Sequence, residues 1–160
     1  MIMATCLGLT SIPASARHGW GWQGPSIRVQ ELSELHFGTI APDQHLAGSV
    51  RVRPNRNSAS HCGHPLICLE GGSRGRFRLS STRTRFVHID LPREATLSNT
   101  SGATMRVTRF RVHGRNVFRG CGFIRRNIPE VIGVGASLQV GAQQPPGHYR
   151  GTYEITVTYE

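Results

Sequence analysis

Apolar and polar residues alternate without interruption along GHYRGTYEITVTYE, residues 147–160. Tyr149, Gly151, Tyr153, Ile155, Val157 and Tyr159 hold the odd positions, and Arg150, Thr152, Glu154, Thr156 and Thr158 the even ones. A period of two marks a strand with one buried face, because successive side chains point to opposite sides of the backbone. The pattern predicts one continuous strand over 149–159. So well specified a strand at a terminus, where chains ordinarily fray, calls for a pairing partner.

The same period recurs upstream. IRVQELSELHFGTI (27–40) alternates imperfectly and predicts one or two strands with a bulge or kink near Glu31 to Glu34. SVRVRP places Val50 and Val52 inward with Arg51 and Arg53 outward, and Pro54 stops it. RFRLS sets Phe77 and Leu79 against Arg76 and Arg78, and RFVHIDLP is a further strand ending at Pro92. TLSNTSGATMRVTRFRV holds a turn at Asn99 to Gly102 followed by a long strand carrying Arg109 and Arg111. IGVGASLQVGA alternates through Val134, Ala136, Leu138 and Val140, and QQPPG turns the chain into the last strand. HGRNVFRGCGFIRRNIPE, residues 113–130, shows no period and is read as irregular.

No stretch sustains a helical period. About eight strands spaced near ten residues apart predict an all-β protein, an antiparallel β-sandwich of immunoglobulin-like arrangement. A chain of 160 residues suffices for one such domain, placed at 26–160. Residues 17–25, RHGWGWQGP, are too short and glycine-rich for a domain and read as an arm. Before them MIMATCLGLTSIPASA carries an apolar run and then Ala14 and Ala16 in A-x-A spacing. Residues 1–16 therefore read as an export signal without the usual positive start, the alternative being an ordinary buried strand. Nothing later is apolar for the roughly 20 residues a membrane span needs.

The net charge is +10, and all 19 basic residues are arginine. Polyanion binders usually mix arginine with lysine, a good phosphate partner, so this uniform usage looks like codon bias and argues only weakly for nucleic acid. The arginines at every second position fit a solvated sheet face whose stems cover the strands. The sharper reading makes Arg51, Arg53, Arg76, Arg78, Arg109 and Arg111 a basic face for acidic glycans or lipid head groups.

Candidate chemistry is sparse. There is no G-x-S-x-G elbow, and Asp43 and Asp90 are the only aspartates. HCGHPLIC gathers His61, Cys62, His64 and Cys68, but in no standard zinc spacing, and an exported chain would tend to oxidise the cysteines. Cleavage after Ala16 removes Cys6 and leaves Cys62, Cys68 and Cys121, one pair and one thiol. Cys62 with Cys68 is the first choice, and Cys68 with Cys121 is equally legal on spacing. His36 and His88 read as surface or packing residues. The expectation is no enzyme, no metal and no cofactor.

LHFGTI (35–40), GSVRVRP (48–54) and VGASLQVGAQQPPGHYRGTYEITVTY (134–159) resemble the bacterial secreted domain known as domain of unknown function 4402. Its members read L-x-F-G-x-I near the start, G-x-V-x-V-x-P next, and end in a glycine- and tyrosine-rich block like this one. The cysteines and dense arginines of the middle stand outside that pattern. No activity is established for the family, so the resemblance implies fold and export rather than chemistry.

More distantly, the end of the chain is similar to chaperone–usher pilins and spore-coat U-type proteins. Their last strand carries an upstream glycine and a penultimate tyrosine, the places of Gly147 and Tyr159. That resemblance implies a terminal strand docking on a periplasmic chaperone and then on neighbouring subunits by strand addition. Gly147, Tyr149, Gly151, Tyr153, Ile155, Val157 and Tyr159 would form the assembly edge. Trp20 and Trp22 of the arm, continuing through Ile27 and Val29, would form the donor, although Pro25 and the arm's glycines weaken it as a strand. Burying one large apolar side chain is worth about 1.5–3 kcal/mol. A strand of four or five thus rivals the roughly 5–15 kcal/mol stability of a whole domain. The expected role is an exported structural subunit of a surface fibre or coat. The rival is a monomeric secreted module that binds acidic glycans or lipid head groups on its arginine face.

Overall fold

The structure, a computed structural model, describes residues 4–10, 27–55 and 60–159. Its strands in chain order begin with β1 (Ala4–Thr10), β2 (Ile27–Ser33), β3 (Gly38–Ala41), β4 (Gly48–Val52) and β5 (Ser60–Cys62). Next come β6 (Ile67–Glu70), β7 (Gly75–Ser81), β8 (Arg85–Asp90), β9 (Glu94–Ser98) and β10 (Thr104–Gly114). β11 (Val117–Phe118), β12 (Cys121–Ile124), β13 (Glu130–Val140), β14 (Gly147–Thr152) and β15 (Thr156–Tyr159) complete the order. The molecule is all-β and, in every described pairing but one, antiparallel, as the period-two pattern requires.

The long pair β10–β13 is the spine, with register from Arg106 opposite Gln139 to Gly114 opposite Ile132. Two strands share the far edge of β13: β4 lies along 137–140 and β7 along 130–134. β2 then pairs with β7. On the other side of β10 follow β9, β14, β1, β3 and β6, while β11 leads from β10 to β12, β8 and β15. The strands close over one continuous core that includes Val50, Leu79, Val107, Ile132, Leu138 and Tyr149, all fully buried. Tyr153 packs edge-on against Phe77 and tilted against Phe110, with ring centroids 6.4 and 5.2 Å away.

β13 is buried on both faces along most of its length, which its glycines permit. A Cβ on Gly135 would strike the carbonyl of Val52, so the 52–54 backbone can pass directly over the strand only because none is there.

Three features depart from the sequence reading. Val107 and Val112 both point inward although five positions apart, because β10 bulges between Thr108 and Arg111. Arg109 sits in the bulge at φ 55°. The segment read as irregular contains a hairpin, β11–β12, with Phe118 opposite Cys121. Its two-residue loop, Arg119 and Gly120, has φ 51° and 86°, as a type I′ turn demands. Finally, the terminal strand predicted as continuous over 149–159 is two strands, β14 and β15, separated by Tyr153 to Ile155.

Candidate functional site

The approach to β14 is built by QQPPG. Tyr149 is fully buried, and its hydroxyl donates to the Pro145 carbonyl at 2.5 Å. It also accepts from the Gln144 side-chain amide at 3.0 Å, and that amide donates again to the Thr104 carbonyl at 3.2 Å. Gln144 Oε1 in turn accepts the Gly141 N–H at 3.3 Å. A tyrosine bonded back to backbone a few residues upstream fixes the angle at which a strand enters a sandwich. Here it fixes β14 beside β9, where Arg150 stands opposite Ser98.

The alternation read from the sequence persists: Tyr149, Tyr153 and Ile155 are buried and Arg150, Thr152, Glu154, Thr156 and Thr158 exposed. The pairing partner changes midway. β14 lies between β9 and β1, whereas β15 pairs with β8, Val157 opposite Ile89 and Tyr159 opposite Val87. Among the residues proposed for an assembly edge, Gly147, Tyr149 and Gly151 thus belong to one edge and Val157 and Tyr159 to another, with Tyr153 and Ile155 at the crossing.

The free side of β14 holds the most distinctive contact of the fold. β1 runs parallel to it, Ala4 opposite Gly147, Cys6 opposite Tyr149 and Thr10 opposite Thr152. On its other side β1 is antiparallel to β3, Ala4 opposite Ile40 and Cys6 opposite Gly38. β3 in turn pairs with β6. Residues 4–10 therefore fill a slot between two strands more than a hundred positions apart, and they come from the segment read as an export signal.

Of the residues read as a donor, Ile27 and Val29 lie in β2 and pair with Ser81 and Leu79 of their own chain. Trp20 and Trp22 lie outside the described residues, as do Ala14 and Ala16. The strand that complements β14 here is β1, which the sequence reading had assigned to the leader. The same apolar run serves either role, so composition alone did not separate them.

Cys62 and Cys68 are disulfide-bonded across a Cα separation of 6.1 Å, and Cys121 is free. The bridge removes both thiolates from the His61–Cys68 cluster. Cys121 Sγ lies 3.1 Å from Nδ1 of His88, whose Nε2 lies 3.0 Å from Asp90 Oδ1. No spacing in the sequence points to that chain of thiol, imidazole and carboxylate, because Cys121 and His88 meet only through the β8–β12 pairing.

The arginines divide. Arg51, Arg53, Arg109 and Arg111 line one open groove of about 960 Å³ together with Arg119, which the sequence reading had not singled out. Arg76 and Arg78 stand apart on β7. Among the described residues no helix is long and apolar enough to cross a membrane.

No curated protein and no solved structure matches the chain. The family model described as Domain of unknown function (DUF4402) matches residues 27–159, which takes in every strand described above except β1. The chain belongs to that family.

Proposed function

We propose that the protein is an exported structural subunit of a bacterial surface fibre or coat, assembled by β-strand complementation. The observation that carries this reading is the double pairing of residues 4–10. β1 is hydrogen-bonded to β14 on one side and β3 on the other, and it is the ladder that links β3 and β6 to β14. Removing residues 1–16 as a leader would expose two facing strand edges. Unpaired edges recruit a strand from another chain.

In this reading a periplasmic chaperone covers the slot in transit, and an arm from a neighbouring subunit fills it at the surface. Residues 17–25, with Trp20 and Trp22, are the segment available to act as that arm. The test is to take the protein from its native cell surface and run it on a denaturing gel with reductant, boiled and unboiled. Strand-complemented polymers give a ladder that collapses to monomer only on boiling. A single monomer band in both lanes overturns the reading.

A further inference from the structure

The arginine groove is built by the fold rather than by strand periodicity alone. Arg51 stands on β4 opposite Ser137, and Arg111 on β10 opposite Gly135, so the two flank β13 on opposite edges. That places their backbones two strand spacings apart across the sheet, about 10 Å, and offset by two residues along it. Gly135, Ala136 and Ser137 of β13 line the groove between them, with the Val52–Pro54 backbone passing over Gly135. The β10 bulge turns Arg109 into the same space, and the type I′ turn brings Arg119 to one end. All five arginines are exposed, no Asp or Glu lines the groove, and none of the five pairs with a carboxylate among the described residues.

Five uncompensated cations around a concavity focus positive potential into it. We infer that this groove is a binding site for an acidic polysaccharide bearing carboxylates along its length. Three observations select that ligand. The guanidinium fork matches a planar carboxylate in a bidentate pair. The arginines come from both sides of β13, Arg51 and Arg53 from β4 and its end, Arg109 and Arg111 from β10 and Arg119 from the turn beyond it, which suits a chain of single charges better than one compact anion. The exposed aromatic ring at the groove is Phe118, 65% exposed, with the Arg119 guanidinium 5.3 Å from its centroid. One such platform can take the apolar face of a sugar ring, whereas a single-stranded nucleic acid needs successive platforms for its bases.

The inference is independent of strand complementation, since β9 and β14 separate β10 from β1. The test uses the full chain and polygalacturonate as probe, with neutral dextran as control, by equilibrium binding at low salt. The variant R51Q/R111Q/R119Q removes three charges from the groove, and R78Q/R83Q/R150Q removes three elsewhere. The groove variant is expected to bind at least tenfold more weakly, with the second within twofold of the parent and binding lost on adding salt. All substitutions are at exposed positions, and unchanged thermal unfolding shows the fold intact. Equal weakening of both variants would reduce the effect to net charge and overturn the site. So would absence of polygalacturonate binding, or tighter binding to DNA or to phosphatidylglycerol vesicles.

Discussion

Tyr149 and Tyr153 stand four residues apart, both buried, yet only the first has its hydroxyl hydrogen-bonded. Tyr149 donates to Pro145 and accepts from Gln144, whereas the Tyr153 hydroxyl meets no partner among the described residues. The first anchors β14 near its start, and the second begins the crossing that carries the chain over the core toward β15.

Opposite outcomes are expected on removing the two hydroxyls. Tyr149→Phe leaves the Pro145 carbonyl without its donor inside the protein and is expected to cost about 1–3 kcal/mol. Tyr153→Phe removes a polar atom that pays desolvation with no bond in return, and is expected to be neutral or stabilising by about 1 kcal/mol. Urea unfolding midpoints of the two variants against the parent decide it. A loss at Tyr153 as large as that at Tyr149 would show that its hydroxyl is bonded after all.

Tyr153 also predicts a dependence on alkaline pH. Burial pushes its phenol well above the ordinary value of 10.0, and the Glu31 carboxylate adds in the same direction. The folded-state value is raised, so the contribution is complete below pH 10 and is lost as pH rises beyond it. There the unfolded chain releases a proton that the folded chain keeps. Stability of the parent should fall by up to about 1.4 kcal/mol per pH unit above pH 10 from this group. Parallel denaturant titrations between pH 8 and 11 should show a shallower fall in Tyr153→Phe.

The Cys62–Cys68 bridge joins residues six positions apart and ties β5 to β6. Closing so short a loop is worth about 2 kcal/mol by the chain-entropy account. Replacing both cysteines by alanine should lower stability by about that amount, read from thermal or urea unfolding. Because Cys68 stands opposite Ile40 of β3, added hydrogen exchange should concentrate in β3, β5 and β6. Uniform loss of protection across β10 and β13 would instead make the bridge a determinant of the whole core.

Strand content and inward residues were legible because burial on one face leaves a period of two that needs no tertiary knowledge. Phe77, Leu79, Val134 and Leu138 are buried as their alternation indicates. What escaped was anything that changes partner without changing period. The break at Tyr153 leaves Tyr149, Tyr153 and Ile155 all buried, so the exchange of β9 for β8 has no trace in the pattern. The β10 bulge does leave a trace, the odd spacing of Val107 and Val112, but the apolar Phe110 between them masks it within a run that otherwise reads as one strand. The β11–β12 hairpin hid because its turn carries Arg119 where asparagine, aspartate or glycine is usual. The arginine groove needed both of these irregularities, which is why Arg51, Arg53, Arg109 and Arg111 were legible as basic positions but not as the lining of one groove.

The slot itself makes the sharpest prediction. β3 and β14 are joined through β1, so a chain beginning at residue 17 should keep the β10–β13 spine while losing order in β3 and β6. Backbone pairing on both sides of β1 contributes hydrogen bonds that the shortened chain must recover elsewhere. A synthetic peptide of residues 4–10 added to that shortened chain should raise its thermal midpoint in a concentration-dependent way, as any ligand bound only by the folded state does. A peptide with proline in place of Cys6 should fail, since proline removes a ladder donor and cannot occupy a strand paired on both sides. A shortened chain that instead forms multimers resistant to denaturant until boiled has supplied its own donor from a second copy. A shortened chain as stable as the parent, monomeric and indifferent to the peptide, would mean that the β3 and β14 edges need no partner, and strand complementation would have to be abandoned.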